Sequence, residues 1–172
     1  YNHRPAQLRR WHPGFGLALA EASEYDELKG YASTGGAAAV TEAYAASQRQ
    51  LIEGIHRLLV ATASRPPSLG CFGLHEWAMV YQDDATRHPL PLRLGASGTN
   101  AVVDSHKVAC SHFDAFRFFT PTARPLNTLS PGRDDRPDFE QPGCLHASMD
   151  LYKHAYRLSP LIPSELVADC LE

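Results

Sequence analysis

The 172 residues include 44% hydrophobic side chains, enough for one domain with a sizeable core, and the length gives no reason to expect a second. Sixteen Lys and Arg against nineteen Asp and Glu leave a formal charge of −3, so the overall field attracts neither nucleic acid nor an anionic membrane, and a DNA-binding face has to be a local patch. No apolar run of about eighteen residues and no basic-then-apolar leader is visible, so a cytoplasmic protein is expected, in which four widely spaced cysteines are thiols or metal ligands rather than a disulfide scaffold.

In chain order, "YNHRPAQLRRWHPGFG" predicts a short helical turn ending near His12 and Pro13, and it holds the one notable basic cluster, Arg4, Arg9 and Arg10 beside Trp11. From Val40 to Ser64 the apolar positions Val40, Tyr44, Leu51, Ile55, Leu58, Leu59 and Thr62 recur at helical steps, and Pro66 and Pro67 close the stripe. The segment "GCFGLHEWAMVYQ" begins as a glycine turn and continues apolar, with strand and helix equally open. "LPLRL" and "NAVVDSHKVACSHF" flank "GASGT", which predicts a β-hairpin with a long second arm leading into Cys110 and His112. Residues 120–143 contain Pro121, Pro125, Pro131, Pro137 and Pro142 and predict a long loop without regular structure, a lid or a mobile segment. "CLHASMDLYKHAYRLSP" predicts a helix stopped before Pro160, and "PSELVADCLE" another, capped by Ser164. The expected fold is a single α+β domain over residues 1–172, with more helix than strand, one β-hairpin and a long Pro-rich loop.

Three of the four cysteines precede a histidine closely: Cys71 with His75, Cys110 with His112, and Cys144 with His146. On a strand, residues i and i+2 share a face, which would align Cys110, His112 and Asp114. On a helix, i and i+4 share a face, which would join His146 and Asp150. Thiolate, imidazole and carboxylate are ligands for zinc or non-haem iron, so His75, Cys110, His112, Cys144 and His146 are the metal candidates. Glu76, Asp114 and Asp150 are the candidate acids or bases next to them. The plain alternative is buried structural thiols and hydrogen-bonded imidazoles. No Cys-x-x-Cys pair occurs, and "HEWAM" has Met79 where a zinc-binding His-Glu-x-x-His helix needs its second histidine. Arg117, set among Phe116, Phe118 and Phe119, is a candidate anion ligand.

The stretches "RPAQLRRWHPGFG", "GCFGLHEWAMVY", "CSHFDAFRFFTPTARPLN", "EQPGCLHASMDLYKHAYRLSP" and "PSELVADC" resemble an actinobacterial protein family labelled 3-methyladenine DNA glycosylase, over nearly the whole chain. Members of that family extend further at both ends, which makes residues 1–172 the expected ordered middle of a longer chain. The resemblance implies hydrolysis of the N-glycosidic bond of alkylated purines in DNA repair. A carboxylate such as Asp114 or Glu76 would face the oxocarbenium-like transition state, Trp11, Trp77 or Tyr81 would stack on an extruded base, and Arg4, Arg9 and Arg10 would hold phosphates. The residues alone leave a second reading open: a zinc or iron enzyme acting on a small molecule through the Cys/His/Asp cluster. A structural metal site or a redox-sensing module is a third. The partner is DNA under the first reading and a small-molecule substrate under the second, with no membrane in either and no organic cofactor indicated.

Overall fold

A computed structural model describes residues 4–71, 73–83 and 89–171. The chain mixes helix and sheet, with far more helix than strand, and packs as two compact units: residues 1–57 with 148–172, and residues 58–147. Among the described residues no helix is long and apolar enough to cross a membrane.

The first unit opens with α1 (Pro5–Leu8), a single turn that ends earlier than the sequence suggests. Next comes a sheet the sequence reading did not contain: β1 (Ala18–Ala20), β2 (Tyr31–Thr34) and β3 (Ala37–Val40), antiparallel in the order β1-β3-β2. Its strands are built largely from alanine, so the usual β-branched and aromatic signal is weak. Gly35 and Gly36, both at positive φ, make the two-residue turn between β2 and β3. Ala22, Tyr25, Tyr31, Ala38 and Val40 form the buried cluster beneath it, with Leu19, Leu28, Tyr44 and Leu161 packed around them.

The helix predicted over 40–64 is two helices, α2 (Glu42–Ser47) and α3 (Arg49–Ala63), divided at Gln48, whose φ and ψ of −96° and 4° leave the helical region. The Ser47 hydroxyl donates to the Tyr44 carbonyl at 2.6 Å, a local bond that competes with the helix ladder at the break. Thr41 caps α2, its hydroxyl accepting from the Tyr44 amide.

The segment after Gly70 resolves as α4 (Leu74–Ala78). The hairpin expected around "GASGT" is instead α5 (Gly95–Ser105). Thr99 and Val103, one helical turn apart, are its buried residues, and the Thr99 hydroxyl donates to the Gly95 carbonyl, so burial of an i, i+4 face overrides the strand preference of Val102 and Val103. Residues 106–112 then run extended into α6 (Phe113–Phe116).

The Pro-rich stretch is not wholly irregular. It holds a 3-10 turn at Arg124–Leu126 and the short helix α7 (Arg136–Phe139), each with its proline, Pro125 or Pro137, in the first turn, where a missing amide costs nothing. α8 (Leu145–Leu158) and α9 (Ser164–Asp169) end the chain as the sequence predicts, except that Ser164 is the first helical residue and not the cap; its hydroxyl accepts from the His12 amide.

The core of the 58–147 unit is Ala78, Tyr81, Val103, Val108, Cys110, Ala115, Phe119 and Ala123, with Trp77, Met79 and Phe116 packed on it. Burying a side chain such as Phe119 or Val103 contributes about 1.5–3 kcal/mol each.

Candidate metal centre

The three Cys/His segments all lie in the 58–147 unit, and they meet. Each is set by a local device. Gly73 has φ +76°, a left-handed turn that a residue with a Cβ resists, and it immediately precedes α4. The Leu74 amide donates to the Cys71 carbonyl at 2.8 Å, closing the chain so that Cys71 Sγ lies 3.1 Å from His75 Nδ1. The other ring nitrogen, His75 Nε2, lies 3.2 Å from Glu76 Oε1. One buried imidazole thus separates a thiol from a carboxylate.

Cys110 is fixed by Asn127, whose side chain accepts from the Cys110 amide at 2.7 Å and donates to the Cys110 carbonyl at 2.9 Å. With the Thr128 amide on the Val108 carbonyl, Asn127 serves as a substitute strand for the extended segment. His112 follows as the residue before α6, and both Cys110 and His112 are almost fully buried. Because the chain turns helical at Phe113, Asp114 does not continue the alternating face predicted for a strand. It pairs with Arg117 at 3.3 Å and Arg136 at 3.7 Å.

Cys144 and His146 sit at the start of α8. The loop before them is clamped to the Cys71 loop: the Gln141 side chain accepts from the Ser68 amide at 2.8 Å and donates to the Ser68 carbonyl at 3.1 Å. A Cβ on Gly143 would stand 2.9 Å from that same carbonyl, so the close approach requires glycine.

The outcome is a packed group of imidazoles and thiols. The His75 and His146 rings are 4.5 Å apart at 74°, and His112 stacks on His146 at 5.3 Å and 27°. Cys71 interacts with the Cys110 thiol, but among the described residues the sulfurs of Cys71, Cys110 and Cys144 do not together meet the spacing of a shared ion. That contact with Cys110, with further help from His75, pulls the Cys71 thiol well below its ordinary range. Its partner Cys110 moves up, because it donates to Cys71 and is buried, while burial raises Cys144. The bond to Cys71 and the adjacent Glu76 raise His75 against the opposing effect of its burial. Thiolate and neutral imidazole are the forms that bind a metal, so an ion taken up here would release protons.

Among the described residues, one donor from each of His75, Glu76 and His146 falls within 4.8 Å of the others, a spacing able to hold an ion. His75 is buried, His146 half-buried and Glu76 exposed, so such an ion would have protein on one side and access on the other.

Behind the histidines is an ionic chain, buried at Glu140 and part-exposed at Arg136 and Asp114, that is hard to read from the sequence. Glu140, 3% exposed at its side chain, lies 3.7 Å from His112 Nε2 and accepts from Arg136 Nε at 2.5 Å; Arg136 in turn reaches Asp114. Arg65 holds the Glu140 backbone carbonyl at 2.8 Å. The Arg136/Glu140 spacing of four on α7 was the available sequence signal, obscured by the surrounding prolines.

The remaining predicted residues lie elsewhere. Arg117 pairs with Asp114 and stacks over Phe118, 4.5 Å from the ring centroid. Trp77 is half-buried against the core, and with Glu76, Val80, Leu92, Arg93, Leu94 and Thr99 it lines a recess of about 210 Å³. Asp150 belongs to the other unit, where it accepts from Lys153 at 2.5 Å. Arg9, Arg10 and Trp11 also belong to that unit, bordering a cavity of about 520 Å³ with Tyr152 and Tyr156. The Trp11 indole is pinned there by its N–H on Glu165 at 2.6 Å.

Comparison with protein-family models, with curated proteins and with solved structures finds no match to this chain.

Proposed function

We propose that residues 58–147 carry a metal-dependent active site for a small-molecule substrate, with zinc or iron(II) held by His75, Glu76 and His146. The observation that carries this reading is the meeting of those three donors within 4.8 Å from segments far apart in sequence. Two imidazoles and one carboxylate are the protein ligands of hydrolytic zinc sites, and of non-haem iron sites that keep positions open for substrate. An ion there supplies Lewis acidity. The chain's own groups do the rest: buried His75 and half-buried His146 hold the ion, exposed Glu76 completes the set, and the recess alongside Glu76 takes the substrate. Its walls of Trp77, Val80, Leu92 and Leu94 suit an apolar body, and Arg93 suits an anionic group on it. His75→Ala and His146→Ala are expected to release the ion from purified protein while retaining the fold. Full retention of metal by both variants would contradict the assignment.

A second reading follows the resemblance to the glycosylase family: hydrolysis of an N-glycosidic bond in alkylated DNA. What favours it is the cavity beside Arg9 and Arg10, where the indole of Trp11 is anchored yet 45% exposed and Tyr152 and Tyr156 stand close by, an arrangement suited to stacking an extruded base. Duplex binding that weakens steeply with salt, with a slope flattened by Arg9→Ala/Arg10→Ala, supports it; salt-insensitive or absent binding overturns it.

A further inference from the structure

The cavity bordered by Trp11 is one half of a larger site. A second cavity, of about 210 Å³, adjoins it, and the two share Gln7, Arg10, His12, Tyr156 and Ser159 in their walls, all within the unit of residues 1–57 and 148–172. The halves differ in chemistry. The larger, of about 520 Å³, adds Trp11, Tyr152, Leu8 and Leu171, an aromatic and apolar lining. The smaller adds Lys29 to Arg10 and has no carboxylate in its wall. Among the described residues no acid pairs with Arg10 or Lys29, and the Lys29 ammonium lies 5.9 Å from the centre of the Tyr44 ring.

The wall is fixed before any ligand arrives. His12 and Ser164 are bonded both ways, the His12 amide donating to the Ser164 hydroxyl and the Ser164 amide to the His12 carbonyl, each at 2.9 Å. The Phe15 amide donates to the Leu161 carbonyl, and a Cβ on Gly14, at φ +93°, would stand 3.0 Å from the Pro163 nitrogen. Trp11 is held at two points: its carbonyl accepts from the Tyr25 hydroxyl at 2.5 Å, and its indole N–H donates to Glu165 at 2.6 Å. An indole N–H bond lies in the ring plane and leaves the faces for stacking. A tryptophan that is held yet partly exposed loses little further freedom when a flat ligand covers it.

We propose that the joined cavities bind a free nucleoside monophosphate whose base carries an exocyclic amine. The base lies in the larger half with Trp11 and Tyr152, the ribose at the shared polar wall of Gln7 and Ser159, and the phosphate in the smaller half with Arg10 and Lys29. Flat, hydroxylated and anionic parts thus follow one another in the ligand in the order in which aromatic, polar and cationic walls follow one another in the site. Glu165, at the indole, can accept from the base amine, and its charge keeps the phosphate out of the larger half. The larger half alone falls within the roughly 300–1,000 Å³ that small-molecule sites occupy. This site needs neither the ion at His75 nor a DNA duplex, and so goes beyond both readings given above.

The test is a calorimetric titration of the full chain in chelator with AMP, GMP and CMP, and with the parent nucleosides, inorganic phosphate and a short DNA duplex as comparison arms. The chelator removes any phosphate binding through an ion. The expected result is one nucleotide per chain for at least one of the three, with its nucleoside and inorganic phosphate each weaker by about tenfold or more. Arg10→Ala and Lys29→Ala should each weaken the nucleotide by about tenfold and leave the nucleoside unchanged, whereas Trp11→Ala should weaken both by about fivefold or more and Trp11→Phe restore them. If Trp11→Ala does not fold, the substitutions at exposed Arg10 and Lys29 carry the test. Failure of all three nucleotides to bind overturns the proposal. So does nucleotide binding that none of these substitutions alters, or inorganic phosphate that binds as tightly as the nucleotide. A duplex that binds where no nucleotide does assigns the cavity to DNA and likewise overturns it. None of these outcomes bears on the His75 centre, which is read separately from metal content.

Discussion

His75 and His146 face each other edge to face with ring centroids 4.5 Å apart, brought together from α4 and the first turn of α8. Few side-chain pairs have so little reason to meet. Neither ring fills the apolar core formed around Tyr81 and Phe119, and Glu76 and His112 flank the pair. Removing either ring is expected to weaken metal binding by about 100-fold or more, since even partners one step removed from a metal typically cost 10–100-fold. Competition with a chelator of known affinity measures it, and unchanged affinity in both variants would exclude them as ligands.

Glu140 faces His112 across 3.7 Å. Glu140→Gln keeps the shape but removes the charge that Arg136 and His112 share. Metal affinity is expected to fall by less than the roughly 10–100-fold typical for the partner of a ligating histidine, because His112 reaches the ion only through its stacking on His146. Because Arg136 keeps Asp114 and is part-exposed, the loss of stability should be about 1–3 kcal/mol, that of a weakened hydrogen bond to a charged group, read from urea denaturation in chelator. A stable variant with unaltered affinity would show that the chain has no influence on the centre.

Asn127 is a backbone prosthesis for Cys110. Asn127→Ala strands a buried amide and a buried carbonyl, at about 1–3 kcal/mol each. Thermal unfolding should shift down accordingly, and Cys110 should become more reactive to a thiol reagent in the metal-free protein. Wild-type stability would mean that the extended segment holds itself.

In the first unit, stability should be bracketed by His12 and Tyr31, which meet at 2.9 Å. Burial, and then the Arg10 charge, lower the His12 pKa from 6.5, so the native state resists a proton that the unfolded chain accepts. Stability is therefore full above about pH 6.5 and falls with decreasing pH until the folded pKa is passed. Burial, and then Tyr25, push Tyr31 up to about 12, so a second loss should set in as pH rises from 10 toward 12. Urea midpoints across pH check both limbs; His12→Asn should flatten the acidic limb, and Tyr31→Phe the alkaline one. If neither variant changes its limb, these groups do not titrate as their surroundings dictate.

Much of the site was legible because its residues come in close pairs: a Cys next to a His is visible in one dimension, and three such pairs pointed to a meeting point. The type of element was less accessible. Around "GASGT" the β-branched residues suggested strands, but Thr99 and Val103 are buried one turn apart, which only tertiary packing decides. The sheet over 18–40 is hard to read from sequence because alanine carries no strand signature. Asn127 and Glu140 were invisible for another reason. Each acts through a single long-range contact, with Cys110 and His112, and no local spacing announces such a partner. Asp114 and Asp150 show the converse: a spacing suited to a shared face, taken instead by Arg136 and Arg117 and by Lys153.

Metal binding through residues 58–147 is read from the metal-to-protein ratio of the full chain, purified without added metal or chelator. Zinc or iron is expected at one or more atoms per chain, falling on substitution of His146. A preparation that holds no transition metal, does not take up zinc or iron(II) when they are supplied, and retains the native fold would contradict it.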